Sequence, residues 1–126
     1  MHFAIPISLA VLVSVGILVI GCFYLTSPQR ILGGFGLKPP APDLDTRAWL
    51  RLKGIRDVAA GLAVLTLMLT TDSRTVGIIL LVFAIIPFGD MSNILVSGGR
   101  KFTAFSVHGV TCAVMVFASL LLIHAV

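Results

Sequence analysis

The sequence contains no glutamate, and charge of either sign is scarce: Lys, Arg and Asp together make up 11% of the 126 residues. Carboxylate chemistry therefore falls on Asp43, Asp45, Asp57, Asp72 and Asp90 alone. Cysteine is limited to Cys22 and Cys112, each inside an apolar run and neither in a CxxC or other metal spacing. They read as small buried apolar residues and carry no information on redox compartment. The chain lacks a glycine-rich nucleotide loop, a histidine pair suited to haem and a metal-ligand set, so neither a cofactor nor a metal is expected. It also lacks low-complexity segments and any internal repeat between its halves.

What the chain has is apolar surface. Hydrophobic residues make up 58%, against roughly 45–50% in soluble domains. A spanning helix takes about 20 mostly apolar residues, so four of them use most of the chain and leave no room for a separate soluble domain. The expectation is an all-α fold: a single four-transmembrane-helix bundle over 1–126, with both termini on the same side. The expected helices cover about 3–25, 46–70, 75–96 and 102–126. The first 25 residues lack a positive n-region and a small-x-small cleavage site, so they read as a mature helix and not a signal peptide. Pro6 falls in the first turn of that helix, where a missing N–H costs little. The connection Thr26–Leu44 carries Pro28, Gly33, Gly34, Gly36, Pro39, Pro40 and Pro42, which argues against a regular element. Phe35 and Leu37 within it suggest a loop resting on the membrane surface. Asp45 is the expected N-cap of the second helix, and Thr71–Arg74 the turn before the third.

The net charge is +4. Because the cations flank apolar runs, membrane lipids are the expected partners and nucleic acid is not. Arg30, Lys38, Arg47, Arg51 and Lys53 follow the first helix, and Arg100 and Lys101 follow the third. The other end has Arg74, offset by Asp72. By the positive-inside rule both termini lie outside and the basic connections are cytoplasmic.

Charged groups within the spans are costly and must face the bundle or a wet cavity. They are Arg56 and Asp57 on the second helix, Asp90 on the third and His108 on the fourth. Counted from the basic end at 1.5 Å per residue, Asp57, Asp90 and His108 sit at one depth, roughly 6–9 Å inside. Pro87 should kink the third helix beside Asp90, and Gly54, Asp57 and Gly61 share a face that allows close helix approach. Tyr24 can close the layer, Asn93 lies one turn beyond Asp90, and Trp49 marks the interface. Each residue also has a plainer reading. Asp57 pairs with Lys53 at i−4, Arg56 snorkels to headgroups or bridges Asp90 structurally, and His108 is a hydrogen-bonded core residue. His2 and His124 read as solvated.

Lys53-Gly54-Ile55-Arg56-Asp57, Gly61, Gly89-Asp90 and His108, with Ser27-Pro28 and Gly34-Phe35-Gly36-Leu37, resemble the domain-of-unknown-function family 4267 of small four-helix membrane proteins. The resemblance runs from about Tyr24 to His108. It implies an integral membrane protein and supplies no activity. Some fungal relatives look like members of natural-product pathways, which favours an enzyme acting on a lipophilic small molecule.

The leading expectation is an acid–base enzyme with catalytic Asp57, Arg56, Asp90 and His108, and with Tyr24, Asn93 and Trp49 binding substrate. One carboxylate would activate water or a hydroxyl and the other would protonate a leaving oxygen, as epoxide opening by a hydrolase or cyclase requires. Soluble limonene-type epoxide hydrolases use an Asp–Arg–Asp centre, a likeness of chemistry alone. The alternatives are a non-catalytic binding or accessory subunit, in which the layer is an interhelical clamp, and a small proton-coupled carrier working as a homodimer.

Overall fold

A computed structural model describes residues 4–124. The expected helix start at Phe3, the helix end at Val126 and the reading of His2 lie outside the described residues. Among those residues every regular element is helical.

Helix α1 covers Ala4–Thr26. The chain then stays ordered, which corrects the expectation of a connection without regular elements. Pro28 occupies the first turn of a short helix α2, Pro28–Ile31, where its fixed φ favours helix initiation. A 3-10 turn follows over Leu32–Gly34. Helix α3 covers Leu44–Thr70, capped by Asp43, whose carboxylate accepts from the Thr46 amide at 2.6 Å. Asp45, the expected cap, instead falls in the first turn, where a negative charge suits the positive helix end. The bonds from the Thr46 amide and hydroxyl hold the Asp43 carboxyl below its usual value of 3.8.

Asp72 caps helix α4, Ser73–Phe83, by accepting from the Thr75 amide at 3.0 Å and the Thr75 hydroxyl at 2.7 Å. This starts the helix at Ser73, so Arg74 is helical and not part of the turn. Helix α5 covers Ile85–Val96. The two form one stretch interrupted at Ala84, three residues before Pro87, where the proline disturbs the preceding turn. The last stretch starts with helix α6, Lys101–Thr103, widens into a π turn over Ala104–Gly109 and continues as helix α7, Val110–His124.

Helix α1 packs on α3 and α7, α4 packs on α7, and α5 packs on the π turn. A core of Ala10, Val64, Leu80, Met115 and Leu122 sits between them. The α1–α3 contact is a seam of small residues. A Cβ on Gly21 would stand 2.8 Å from the Gly54 carbonyl oxygen, and one on Gly61 would stand 2.7 Å from that of Ser14. Close backbone approach is the packing mode available where lipid supplies no hydrophobic drive between helices.

Three stretches are long and apolar enough to cross a membrane: Ala4–Thr26, Ser73–Val96 and Lys101–His124. Their outer faces are apolar, with Leu12, Ile85 and Phe102 all exposed. The chain is an integral membrane protein. Helix α3 is long enough, but its last 18 residues still hold Lys53, Arg56 and Asp57, and so it does not match the other three in composition.

Candidate functional site

The two basic connections meet at one end of the bundle. The Arg100 amide donates to the Gly36 carbonyl at 2.8 Å, and the Arg100 guanidinium donates to the Gly33 carbonyl. Gly36 has a φ of 104°, and a Cβ on Gly99 would stand 2.6 Å from the Gly36 oxygen. Only glycine fits both positions. The loop after the 3-10 turn is therefore drawn over the end of the helices, and Phe35 and Leu37 are half-buried.

Beneath the loop is a polar layer. The Lys53 Nζ donates to Asp57 Oδ2 at 2.8 Å, and the Asp57 side chain is buried while that of Lys53 is 29% exposed. The Lys53 ammonium also lies 5.0 Å from the centroid of the Tyr24 ring and 5.6 Å from that of Phe35, within cation–π range of both. On the other side, His108 Nδ1 faces Asp90 Oδ2 at 3.6 Å, an ion-pair distance longer than a hydrogen bond. His108 Nε2 faces the Phe35 carbonyl at 3.3 Å, and the two rings meet edge to face at 4.9 Å. The layer is thus two side-chain pairs, Lys53–Asp57 on α3 and His108–Asp90 between the π turn and α5, bridged by Phe35.

Helix geometry explains which residues meet. Lys53 and Asp57 are four apart and share a face of α3. Arg56 is one residue from Asp57, turned about 100° away by the 3.6-residue period. It is exposed and, among the described residues, makes no ion pair or side-chain hydrogen bond. The expected Asp–Arg–Asp centre is therefore not the one this fold assembles, and Lys53 supplies the cation instead. Asn93 is also exposed and accepts from the Ser97 hydroxyl at 3.5 Å, away from the layer. Trp49 is 71% exposed on α3. Tyr24 is buried in the layer, and His108 is buried at the widened turn. Widened π turns recur at functional sites.

A cleft of about 330 Å³ opens beside Lys53, lined by Tyr24, Phe35, Leu37, Lys38, Pro40, Leu50 and neighbouring residues. Among the described residues no cluster of His, Cys or Asp suits a metal ion.

A family model described as "Domain of unknown function (DUF4267)" matches residues 14–122, a span that includes the seam and every residue of the polar layer. No curated protein and no solved structure matches the chain significantly.

Proposed function

The chain belongs to the DUF4267 family, and from that premise we propose that its polar layer is an acid–base site serving a lipophilic small molecule at the basic end of a four-span bundle. The observation that carries this reading is the pairing of Asp90 with His108 across two helices, inside spans where ionisable groups are expensive. A histidine oriented by a carboxylate is a general base or acid with a fixed approach direction. Its second nitrogen faces the Phe35 carbonyl of the loop and not a core helix, so a substrate would reach it by displacing that carbonyl. The fourth crossing is assigned to α3 because α3 lies along α1 from Gly54 to Gly61 and continues through exposed Leu62 and Leu69.

Epoxide opening is the reaction class we propose. Neutral His108, oriented by Asp90, takes a proton from water as the water oxygen bonds to an epoxide carbon and the C–O bond breaks. The imidazolium returns that proton to the alkoxide to give the diol. The test is incubation of the purified protein with long-chain alkyl epoxides in ¹⁸O-water, followed by mass spectrometry. Labelled diol is expected from the wild type, with the rate reduced by a factor on the order of 10²–10⁴ in Asp90→Asn. Saturable binding of the epoxides without conversion would reduce the site to a binding site.

A second reading has its own observation. Both His108 nitrogens face acceptors, a carboxylate and a carbonyl, and only the imidazolium donates to both. In that reading the layer is a clamp that ties the loop to α5, and the protein is a binding or accessory subunit.

A further inference from the structure

The cleft beside Lys53 has a lining that selects one kind of head and one kind of tail. Phe35, Leu37, Pro40 and Leu50 make its walls apolar. Its charged lining residues are Lys38 and Lys53, and no acid lines it. An ammonium has three donors, and Lys53 uses one of them on Asp57. Tyr24 lines the same cleft, and its ring lies 5.0 Å from the Lys53 ammonium. The cleft thus joins apolar walls to two lysines, one of them paired with Asp57, and to the Tyr24 ring.

We propose that this cleft binds a single-chain amphiphile with a carboxylate head, the carboxylate neutralising Lys38 and accepting from Tyr24 and a remaining Lys53 donor, and the chain lying on Leu37, Pro40 and Leu50. At about 330 Å³ the cleft is at the small end of the roughly 300–1,000 Å³ typical of small-molecule sites, which suits one chain and not the two of a phospholipid. The charge fits a monoanion. Asp57 already balances Lys53, and one added negative charge balances Lys38. The inference deepens the reading of this end as a site for a lipophilic molecule and rests on it.

The single tryptophan, Trp49, is the chain neighbour of Leu50 and gives a direct readout. The purified protein in nanodiscs of uncharged lipid is titrated with cis-parinaric acid, a fluorescent single-chain carboxylate, and Trp49 emission is followed. Saturable quenching is expected, at least tenfold tighter for the acid than for its methyl ester, as loss of a charge-assisted bond implies. Tyr24→Phe and Lys38→Gln leave the Lys53–Asp57 pair intact, and each should weaken binding by roughly two- to tenfold. They keep the test informative where Lys53→Gln fails to fold. Equal saturable binding of acid and ester would overturn the anionic head while leaving a lipophilic site standing. Tighter displacement by dodecyl phosphate than by dodecanoic acid would overturn the carboxylate in favour of a phosphate. Saturation by neither acid nor ester would overturn the inference and the lipophilic-site reading together, and acid binding indifferent to Tyr24→Phe and Lys38→Gln would place the site elsewhere and overturn the assignment.

Discussion

Gly21 and Gly54 meet with no side chain between them: a Cβ built on either would stand 2.8 Å from the carbonyl oxygen of the other. The contact sets the distance between α1 and α3, and so fixes where Tyr24 and Lys53 lie relative to each other. Gly54→Ala and Gly61→Ala force backbone apart from backbone and should each cost about 1–3 kcal/mol, read as a lowered unfolding temperature in detergent. Gly16→Ala and Gly89→Ala are the controls. Nothing lies within 4 Å of a Cβ at either position, so both should be neutral or stabilising. Ser14 adds a complementary case, because its buried hydroxyl has no partner among the described residues. Ser14→Ala should therefore hold or raise stability.

The Lys53–Asp57 pair predicts an asymmetry. Lys53 is part-exposed and Asp57 is buried, so Lys53→Met strands a buried carboxylate whereas Asp57→Asn leaves a lysine able to reach water. The first change should lower stability by about 3–5 kcal/mol and the second by clearly less. The double variant should recover most of the loss. Equal effects of the two single changes in thermal unfolding would argue that the pair is open to water from both sides.

Much of this layer was legible because depth can be counted along a helix. Asp57, Asp90 and His108 fall at one level by residue number alone, and the i, i+4 spacing of Lys53 and Asp57 is visible in the sequence. Adjacency to Asp57 turns the Arg56 side chain about 100° away on the helix, and its exposure follows from that. Asn93, three residues from Asp90, keeps nearly the same face but lies exposed in the last turn of α5, where it accepts from Ser97. Phe35 was beyond reach, since its place depends on how Gly36 and Gly99 let two distant turns touch. The π turn at His108 has no sequence pattern that separates it from an α-helix. Asp43 and Asp45 are both possible caps by residue type, and the extended backbone of Asp43, with its carboxylate on the Thr46 amide, decides for Asp43.

The Asp43 cap gives a pH prediction. Its carboxyl is held below the usual 3.8 in the folded chain by the Thr46 amide and hydroxyl. The stabilisation it provides is therefore complete above the unfolded value and is lost as pH falls through the lowered folded value. Fraying of the first turn of α3, followed by amide exchange at Thr46, should increase only below about pH 4. In Asp43→Asn the same turn should show no such transition, because an amide caps without titrating.

Orientation follows from the clustering of cations at one end, where the loop and the turn before α6 are bonded to each other. With Cys22 and Cys112 replaced by alanine, Ala41→Cys and Ser97→Cys should resist an impermeant thiol reagent in intact cells, and Thr71→Cys should react. All three positions are exposed in the fold. The opposite pattern would reverse the assignment. Labelling of Ala41→Cys and Thr71→Cys from the same side would show that α3 does not cross.

The Asp90–His108 pair decides between chemistry and clamp, and stability can decide it without a known substrate. In the clamp reading His108 carries a proton, donates toward both Asp90 and the Phe35 carbonyl, and depends on the carboxylate for its counter-charge. Asp90→Asn then strands a cation and His108→Gln strands an anion. Each should lower stability by roughly 1–3 kcal/mol, less than for a fully buried pair because the Asp90 side chain is 29% exposed. The double variant should recover most of that, since a neutral Asn–Gln pair needs no counter-charge. In the acid–base reading the resting pair is weakly coupled, as the 3.6 Å separation suggests. Both single variants should then unfold within about 0.5 kcal/mol of the wild type, the range of substitutions that disturb no buried network. Phe35→Ala supplies the independent check. It removes the edge contact over the imidazole, about 0.5–1.5 kcal/mol, and should raise the rate of His108 modification by diethyl pyrocarbonate severalfold relative to exposed His124. If the single variants are unstable, the double is restored and His108 stays shielded in Phe35→Ala, the layer is a clamp and the catalytic proposal falls.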